Sequence, residues 1–223
     1  MADELVGVTP ATEDGVAVVR LRRPEKRNAL SIALRDEMSD ALDRLVGDDA
    51  TRCVVVTGEG AVFSAGFDLR EFEDPEVADR LWASSDRWHR TLLEYPLPLV
   101  AAVNGPAHGG GFDLAVMCDV RIASETAVFS HPEHRFSEVV YAPLHDAVGG
   151  GVARDLALTG RPVGAAEAQA IGLVTAVVPS ADLEAAAAAV AIEIASAPRE
   201  VVERMKRKIL RRAGIEPGTT LDL

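Results

Sequence analysis

Glycines cluster at two places where an apolar run has just ended. Gly58-Glu59-Gly60 follows Cys53-Val54-Val55-Val56, and Gly109-Gly110-Gly111 lies a few residues beyond Leu99 to Val103. With no Cβ to block close approach, such turns let backbone amides converge on an anion, and a helix N-terminus adds partial positive charge. Neither turn completes a nucleotide motif. Phe63 stands where a dinucleotide fingerprint would place its third glycine, and no Gly-Lys-Ser/Thr phosphate loop occurs. The tetrad His131-Pro132-Glu133-His134 invites a metal reading, but zinc helices space two histidines at i and i+4. Here they are three apart across a proline, so no metal is expected. Ser64-Ala65-Gly66 lacks the preceding glycine of a nucleophile elbow, and no Ser/His/Asp set emerges, which argues against a covalent acyl-enzyme.

Among the elements that hold these turns, Val6 to Ala11 and Val16 to Leu21 flank Glu13-Asp14-Gly15 and read as a hairpin. Ser31 is an N-cap for an amphipathic helix to about Val46, with Leu34, Met38, Leu42 and Leu45 at helical spacing. The runs 53–56 and 99–103 are apolar without alternation, as strands covered on both faces are. Phe112 to Cys118 reads as a short helix, so strand, glycine turn and helix are expected twice. Strands at Val120 to Ala123 and Val174 to Val178 alternate with helices near Ala165 to Ile171, Leu183 to Ala195 and Arg199 to Arg212, an α/β pattern throughout. The alanine run 185–189 reads as a helix surface.

The chain has 223 residues, 48% of them hydrophobic, enough for one buried core and one domain over 1–223. A net charge of −12 opposes approach to DNA, RNA or anionic lipid, so neither nucleic acid nor membrane is an expected partner. A small polyanion could still bind where cations cluster locally, as at Arg20, Arg22, Arg23, Lys26 and Arg27. Cys53 and Cys118 each lie in an apolar stretch, where a thiol behaves as a small core residue. No signal-like or membrane-spanning segment is evident, and a cytoplasmic location is expected.

Four collinear segments, RPEKRNAL (23–30), FSAGFDL (63–69), NGPAHGGGFDLAVMCDVRIAS (104–124) and LTGRPVGAAEAQAIGLVTAVVP (158–179), resemble the crotonase family of enoyl-CoA hydratases and isomerases along nearly the whole chain. The resemblance implies a crotonase-like spiral of repeated β-β-α units over 1–180, with a shortened C-terminal helical region over 181–223. It also implies an acyl-CoA substrate, coenzyme A entering as part of the thioester and no other cofactor. The oxyanion hole carries over to the backbone amides of Phe67 and Gly110. Enolate charge develops on the thioester oxygen, and two fixed amides stabilise it without reorganising. The hydratase acids carry over to Asp113 and Glu133, with Glu133 the principal acid/base and Asp113 positioning or activating water. Coenzyme A is expected near Lys26, the Ala65 carbonyl and Asp68.

Asp113 departs from the usual Glu, which withdraws the carboxylate by about a bond length. Asp with Glu resembles the dienoyl-CoA isomerases, although Tyr141 stands where those carry a further Asp. The stretch from His134 to Val148 is the least family-like and supplies Tyr141, His145 and Asp146, while His108 precedes the oxyanion glycines. Tyr141, His145 and His108 are thus further acid/base candidates. Trp82, Trp88 and Leu92 either line the acyl pocket or belong to the core. The reading is a hydratase-like lyase acting on a 2-enoyl-CoA. An enoyl- or dienoyl-CoA isomerase on the same site, a non-catalytic acyl-CoA-binding protein, and β-dicarbonyl cleavage through the histidines are the alternatives. After the helix ending near Arg212, the tail carries two glycines and Pro217, which oppose helix extension. With the usual cover so shortened, a homo-oligomer is expected, a trimer by resemblance, its neighbouring subunit supplying part of the cover.

Overall fold

The computed structural model describes residues 4–216 and 218–223, so Met1 to Asp3 and Pro217 lie outside the described residues. Strands β1 (Val6–Thr9) and β2 (Val16–Leu21) form the expected antiparallel hairpin. To β2 are added, all in parallel, β3 (Cys53–Gly58), β4 (Leu99–Val103), β6 (Val120–Ser124) and β9 (Ala176–Val178), in the order β1-β2-β3-β4-β6-β9. A second sheet of β5 (Ala107–His108), β7 (Val128–Ser130) and β8 (Val163–Gly164) runs beside it. Successive passes of the chain give one strand to each sheet and then a helix: β4 and β5 before α3 (Gly110–Met117), β6 and β7 before α4 (Ala142–Thr159); β8 leads into the short α5 (Ala165–Ala170). This is the strand-strand-helix spiral expected of the sequence.

Every residue of β3 and β4 is buried, as their unbroken apolar runs require. One core lies between the large sheet and α1 (Ile32–Val46), α2 (Ala78–Leu93), α3 and α4. Ser31 caps α1 by accepting the Leu34 N–H at 3.3 Å. On the other face, α6 (Leu183–Ala195) packs Leu183, Ala187, Ala191 and Ala195 against Val55, Val100 and Ile122. The alanine run is therefore partly core: Ala187 faces the sheet because a small side chain lets the helix approach it closely. Amphipathic α7 (Arg199–Ala213) ends at Gly214 in the left-handed region, where glycine carries no Cβ penalty.

One further expectation needs correction. The Gly58-Glu59-Gly60 turn opens no helix but leads into the irregular segment Ser64 to Phe67, and the next α-helix begins only at Ala78. Conversely, α4 occupies much of the atypical stretch and continues across Gly149 to Gly151. It kinks at Gly149 (φ 75°), a conformation open to glycine at little cost. The tail also returns to the body of the protein. Thr220 donates to Asp86 of α2, and the Leu223 carbonyl accepts the Tyr141 and Ala142 N–H groups. Leu223 is buried there. Both cysteines are buried and unpaired.

Candidate active site

The site is made where three loops meet. Asn28, in the left-handed region at φ 52°, is fully buried and donates through Nδ2 to the carbonyls of Glu59 and Val62. Its Oδ1 accepts the Arg23 N–H. This locks the 23–30 turn onto the glycine turn after β3. Leu30 then pairs with Phe67 as a short parallel bridge: the Leu30 N–H donates to the Gly66 carbonyl at 2.8 Å and the Asp68 N–H to the Leu30 carbonyl at 3.4 Å. Alternation along an extended segment turns the Phe67 N–H away from Leu30, and it has no hydrogen-bond partner among the described residues.

The third loop is Gly109 to Gly111 at the start of α3. Each glycine is required by a neighbour. A Cβ on Gly111 would stand 2.5 Å from the Ser64 carbonyl oxygen, and one on Gly110 2.7 Å from the Phe67 ring. Gly109 has φ 51°, and its Cβ would meet Glu133 Oε2 at 3.1 Å. Across the gap, a Cβ on Gly66 (φ 87°) would approach the His108 carbonyl at 2.7 Å and the Gly110 nitrogen at 3.3 Å. The Gly110 N–H, in the first turn of α3, donates to no acceptor among the described residues. Two unengaged amides on adjoining loops, beside a helix N-terminus, can bind an oxyanion.

Phe67 is held from below. Its ring packs near Phe72, Trp88 and His89, with centroids 6.3 Å from each, and the Arg35 guanidinium lies 4.4 Å from its centroid. Arg35 is fully buried and donates to the Leu30 and Leu81 carbonyls; burial lowers its pKa to about 10. Arg35 escaped sequence reasoning because it reads as an ordinary polar position on an amphipathic helix. Trp88 and Leu92 are core, whereas Trp82 is partly exposed and edge-on to Phe72.

Glu133 leads out of β7 on a 3-10 turn (Pro132–Arg135), its carboxylate over Gly109 and one-fifth exposed. Asp113, in the first turn of α3, is buried. The two acids do not face a common opening: His131 stands between them, its Nδ1 2.8 Å from Glu133 Oε1 and its Nε2 3.7 Å from Asp113 Oδ1. The shorter Asp side chain stops at the imidazole, so the expectation that Asp113 activates water directly is corrected. Burial pushes the Asp113 carboxyl up, and the Asp113 and Glu133 carboxylates push His131 up against its own burial. The three residues offer ligand atoms within 4.8 Å of one another. A hydrogen bond from His131 Nδ1 to Glu133 Oε1 accounts for the approach of those two side chains without an ion. His131 entered the sequence reading only through the rejected metal tetrad; its place two residues before Glu133 was the available signal.

The remaining candidates divide. His108 adjoins the site, with Nδ1 2.8 Å from Ser130 Oγ and a pKa lowered first by burial and then by Arg27. Tyr141 and His145 pack on each other at the start of α4, 5.7 Å between centroids; His145 is exposed, lies against Gly150, and neither bonds to Glu133 or Asp113. Asp68 pairs with Arg23 at 2.8 Å and accepts the Arg70 N–H, bonds that hold its carboxyl below the usual range and brace the turn. Arg20 and Arg22 pair with Glu184 and Glu4. Lys26 and Arg27 are exposed with no ion pair among the described residues. The Ala65 N–H donates to the Arg27 carbonyl, which brings these cations beside Ala65. A cleft of about 560 Å³ between α3, α4 and α7 contains none of these residues.

The comparisons agree with this architecture. The enoyl-CoA hydratase/isomerase family model matches residues 11–220. A putative enoyl-CoA hydratase of Thermus thermophilus is 41% identical over 204 residues, covering 87% of this chain and 80% of the relative. A 4-chlorobenzoyl coenzyme A dehalogenase of Arthrobacter is 36% identical over 208 residues, covering 88% and 75%. The crystal structure of an enoyl-CoA hydratase from Bacillus anthracis superposes with a TM-score of 0.88 at 33% identity, covering 95% of this chain and 84% of that one. With three loops converging as described and the match spanning nearly its whole length, the chain belongs to the enoyl-CoA hydratase/isomerase family of enzymes.

Proposed function

We propose that the protein hydrates a 2-enoyl-CoA thioester, with the thioester oxygen between the Phe67 and Gly110 amides and Glu133 as the acid/base. The observation that carries this reading is the placement of Glu133 Oε2 against Gly109, next to the Gly110 amide. A carbonyl held by that amide presents its α and β carbons to the carboxylate. Glu133 takes a proton from water as the water oxygen bonds to Cβ, the alkene electrons move onto the thioester oxygen, and the same proton returns to Cα. The sum is one water added. Backbone donors aimed at the oxygen stabilise the enolate, each worth roughly 3–4 kcal/mol in a comparable hole. Lys26 and Arg27 meet the coenzyme A phosphates, and the Ala65 carbonyl, which accepts no hydrogen bond among the described residues, meets its base. Coenzyme A enters with the substrate, and no other cofactor is used.

One observation favours a second reading. Because Asp113 reaches the site only through His131, a single carboxylate faces the substrate. One carboxylate is sufficient to carry a proton between Cα and Cγ of an enoyl thioester, so double-bond isomerisation is the alternative. A panel of 2-enoyl- and 3-enoyl-CoA thioesters tests both. Glu133→Gln is expected to lower turnover by at least about a hundredfold while thioester binding persists. An active Glu133→Gln variant would remove Glu133 from the chemistry.

A further inference from the structure

We propose that His131 is the positioning residue for Glu133, and that it forms with buried Asp113 a dyad sharing one proton, which fixes Glu133 Oε1 and leaves Oε2 for the substrate. The inference rests on the reading of Glu133 as acid/base, but its geometry stands apart from which thioester is used. His131 has no exposed side-chain surface, and its ring stacks on Phe112 with centroids 4.6 Å apart and planes 28° from parallel. Its carbonyl accepts from His134 Nδ1 at 2.9 Å, so the backbone is held as well. The imidazole therefore has one orientation, and the 2.8 Å bond from Nδ1 passes that orientation to Glu133.

The number of protons follows from the atoms. A Glu133 carboxylate is acceptor-only, so His131 Nδ1 carries the proton and donates. Nε2 and Asp113 Oδ1 then face each other, and neither has another hydrogen-bond partner among the described residues. With no proton between them, two buried acceptors would be left unsatisfied. With two protons, an imidazolium would face a carboxylic acid through its own N–H. A single proton makes the two complementary across their 3.7 Å separation, an ion-pair distance longer than a formed hydrogen bond, as imidazolium with carboxylate or as imidazole with carboxylic acid. Burial pushes the Asp113 carboxyl up while His131 holds it down, and the two carboxylates push His131 up against its own burial, so a proton held here titrates with the pair. The charged and titratable groups around the dyad are Asp113 on α3, Glu133 and His134 on the same 3-10 turn, and His108 on β5 with Arg27 behind it. No net proton leaves the dyad when Glu133 accepts and returns one, so Glu133 works beside a charge that stays fixed.

The test uses the full chain labelled with 15N-histidine. From about pH 5 to about pH 9, His131 Nδ1 is expected to stay protonated, and Asp113→Asn, which keeps the side-chain volume, is expected to move the His131 titration down by about 1–3 pH units. An unmoved titration overturns the dyad. In turnover, His131→Phe is expected to lower kcat by about tenfold to a hundredfold with little change in KM, the scale of a misplaced reacting group. His131→Asn, whose amide nitrogen can overlay Nδ1, is expected to restore part of kcat, and the alkaline limb of the pH profile is expected to be absent from His131→Phe. An unchanged kcat and pH profile in His131→Phe overturns the positioning role. So does a stoichiometric transition metal in the wild type that His131→Phe loses. If no enoyl thioester is turned over, the functional reading fails while the titration still decides the dyad.

Discussion

Gly110 shows how one residue answers to two demands. Its amide must be free to meet an oxygen, and its missing Cβ leaves room for the Phe67 ring, 2.7 Å from where that Cβ would be. Two substitutions separate these demands. Gly110→Ala keeps the N–H and adds the crowding, whereas Gly110→Pro adds similar crowding and deletes the donor at a helical first-turn position that tolerates proline. Proline is expected to cost a further hundredfold or so in kcat beyond alanine, the scale of one oxyanion donor. Steady-state kinetics of the two folded variants check this, and equal losses would mean that the amide is idle. The glycines were legible in sequence because their chemistry is their own backbone. His131 was not, because its meaning depends on Asp113, a residue 18 positions away that approaches only once α3 and β7 are in place.

At the scale of elements, two buried polar contacts tie helices to the body that carries the site. Lys206 of α7 is buried against both carboxylate oxygens of Asp119 at 2.6 Å, and Asp119 also accepts the Leu99 N–H at the start of β4. Lys206→Met leaves that carboxylate without its cation, and denaturant melts are expected to show a loss of about 3–5 kcal/mol. Turnover at low denaturant should stay near normal, since α7 contributes nothing to the three loops. His89 of α2 is buried, donates through Nδ1 to the Ser85 carbonyl at 2.9 Å, and burial lowers its pKa to about 4. The unfolded chain binds this proton near the ordinary value of about 6.5. Between those values the unfolded state holds more protons, so stability rises with pH and is lost as pH falls from about 6.5 through about 4. The contribution is on the order of 3 kcal/mol, and urea melts of His89→Gln are expected to lack that slope. Helices α1, α6 and α7 were readable from their periodicity and capping. The 18-residue α4 was not, because it joins two helical stretches across a kink at Gly149 and its three consecutive glycines carry no periodic apolar signal.

For the whole molecule, the exposed apolar residues fall into sets that the fold leaves unpartnered. Val201, Met205 and Ile209 recur every four residues along α7, and Leu69, Phe72 and Trp82 adjoin the site. Length and hydrophobic content were enough to argue for one domain, but sequence could not show that Thr220 and Leu223 return to α2 and α4, a long-range contact without local pattern. A homo-oligomer, a trimer in our reading, would cover the α7 stripe. Light scattering at micromolar concentration is expected to give about three times the 23.6 kDa chain, and a mass of one chain would contradict it. None of the described helices is long and apolar enough to cross a membrane. The central claim, that this chain drives an enolate at Phe67 and Gly110 and protonates it from Glu133, is tested most directly by mass spectrometry of 2-enoyl-CoA thioesters incubated in heavy-oxygen water. Hydration predicts a product heavier by one labelled water, with the label on the acyl chain and its formation abolished in Gly110→Pro and Glu133→Gln. Recovery of every thioester unchanged, or label appearing in a released carboxylic acid, would contradict the account.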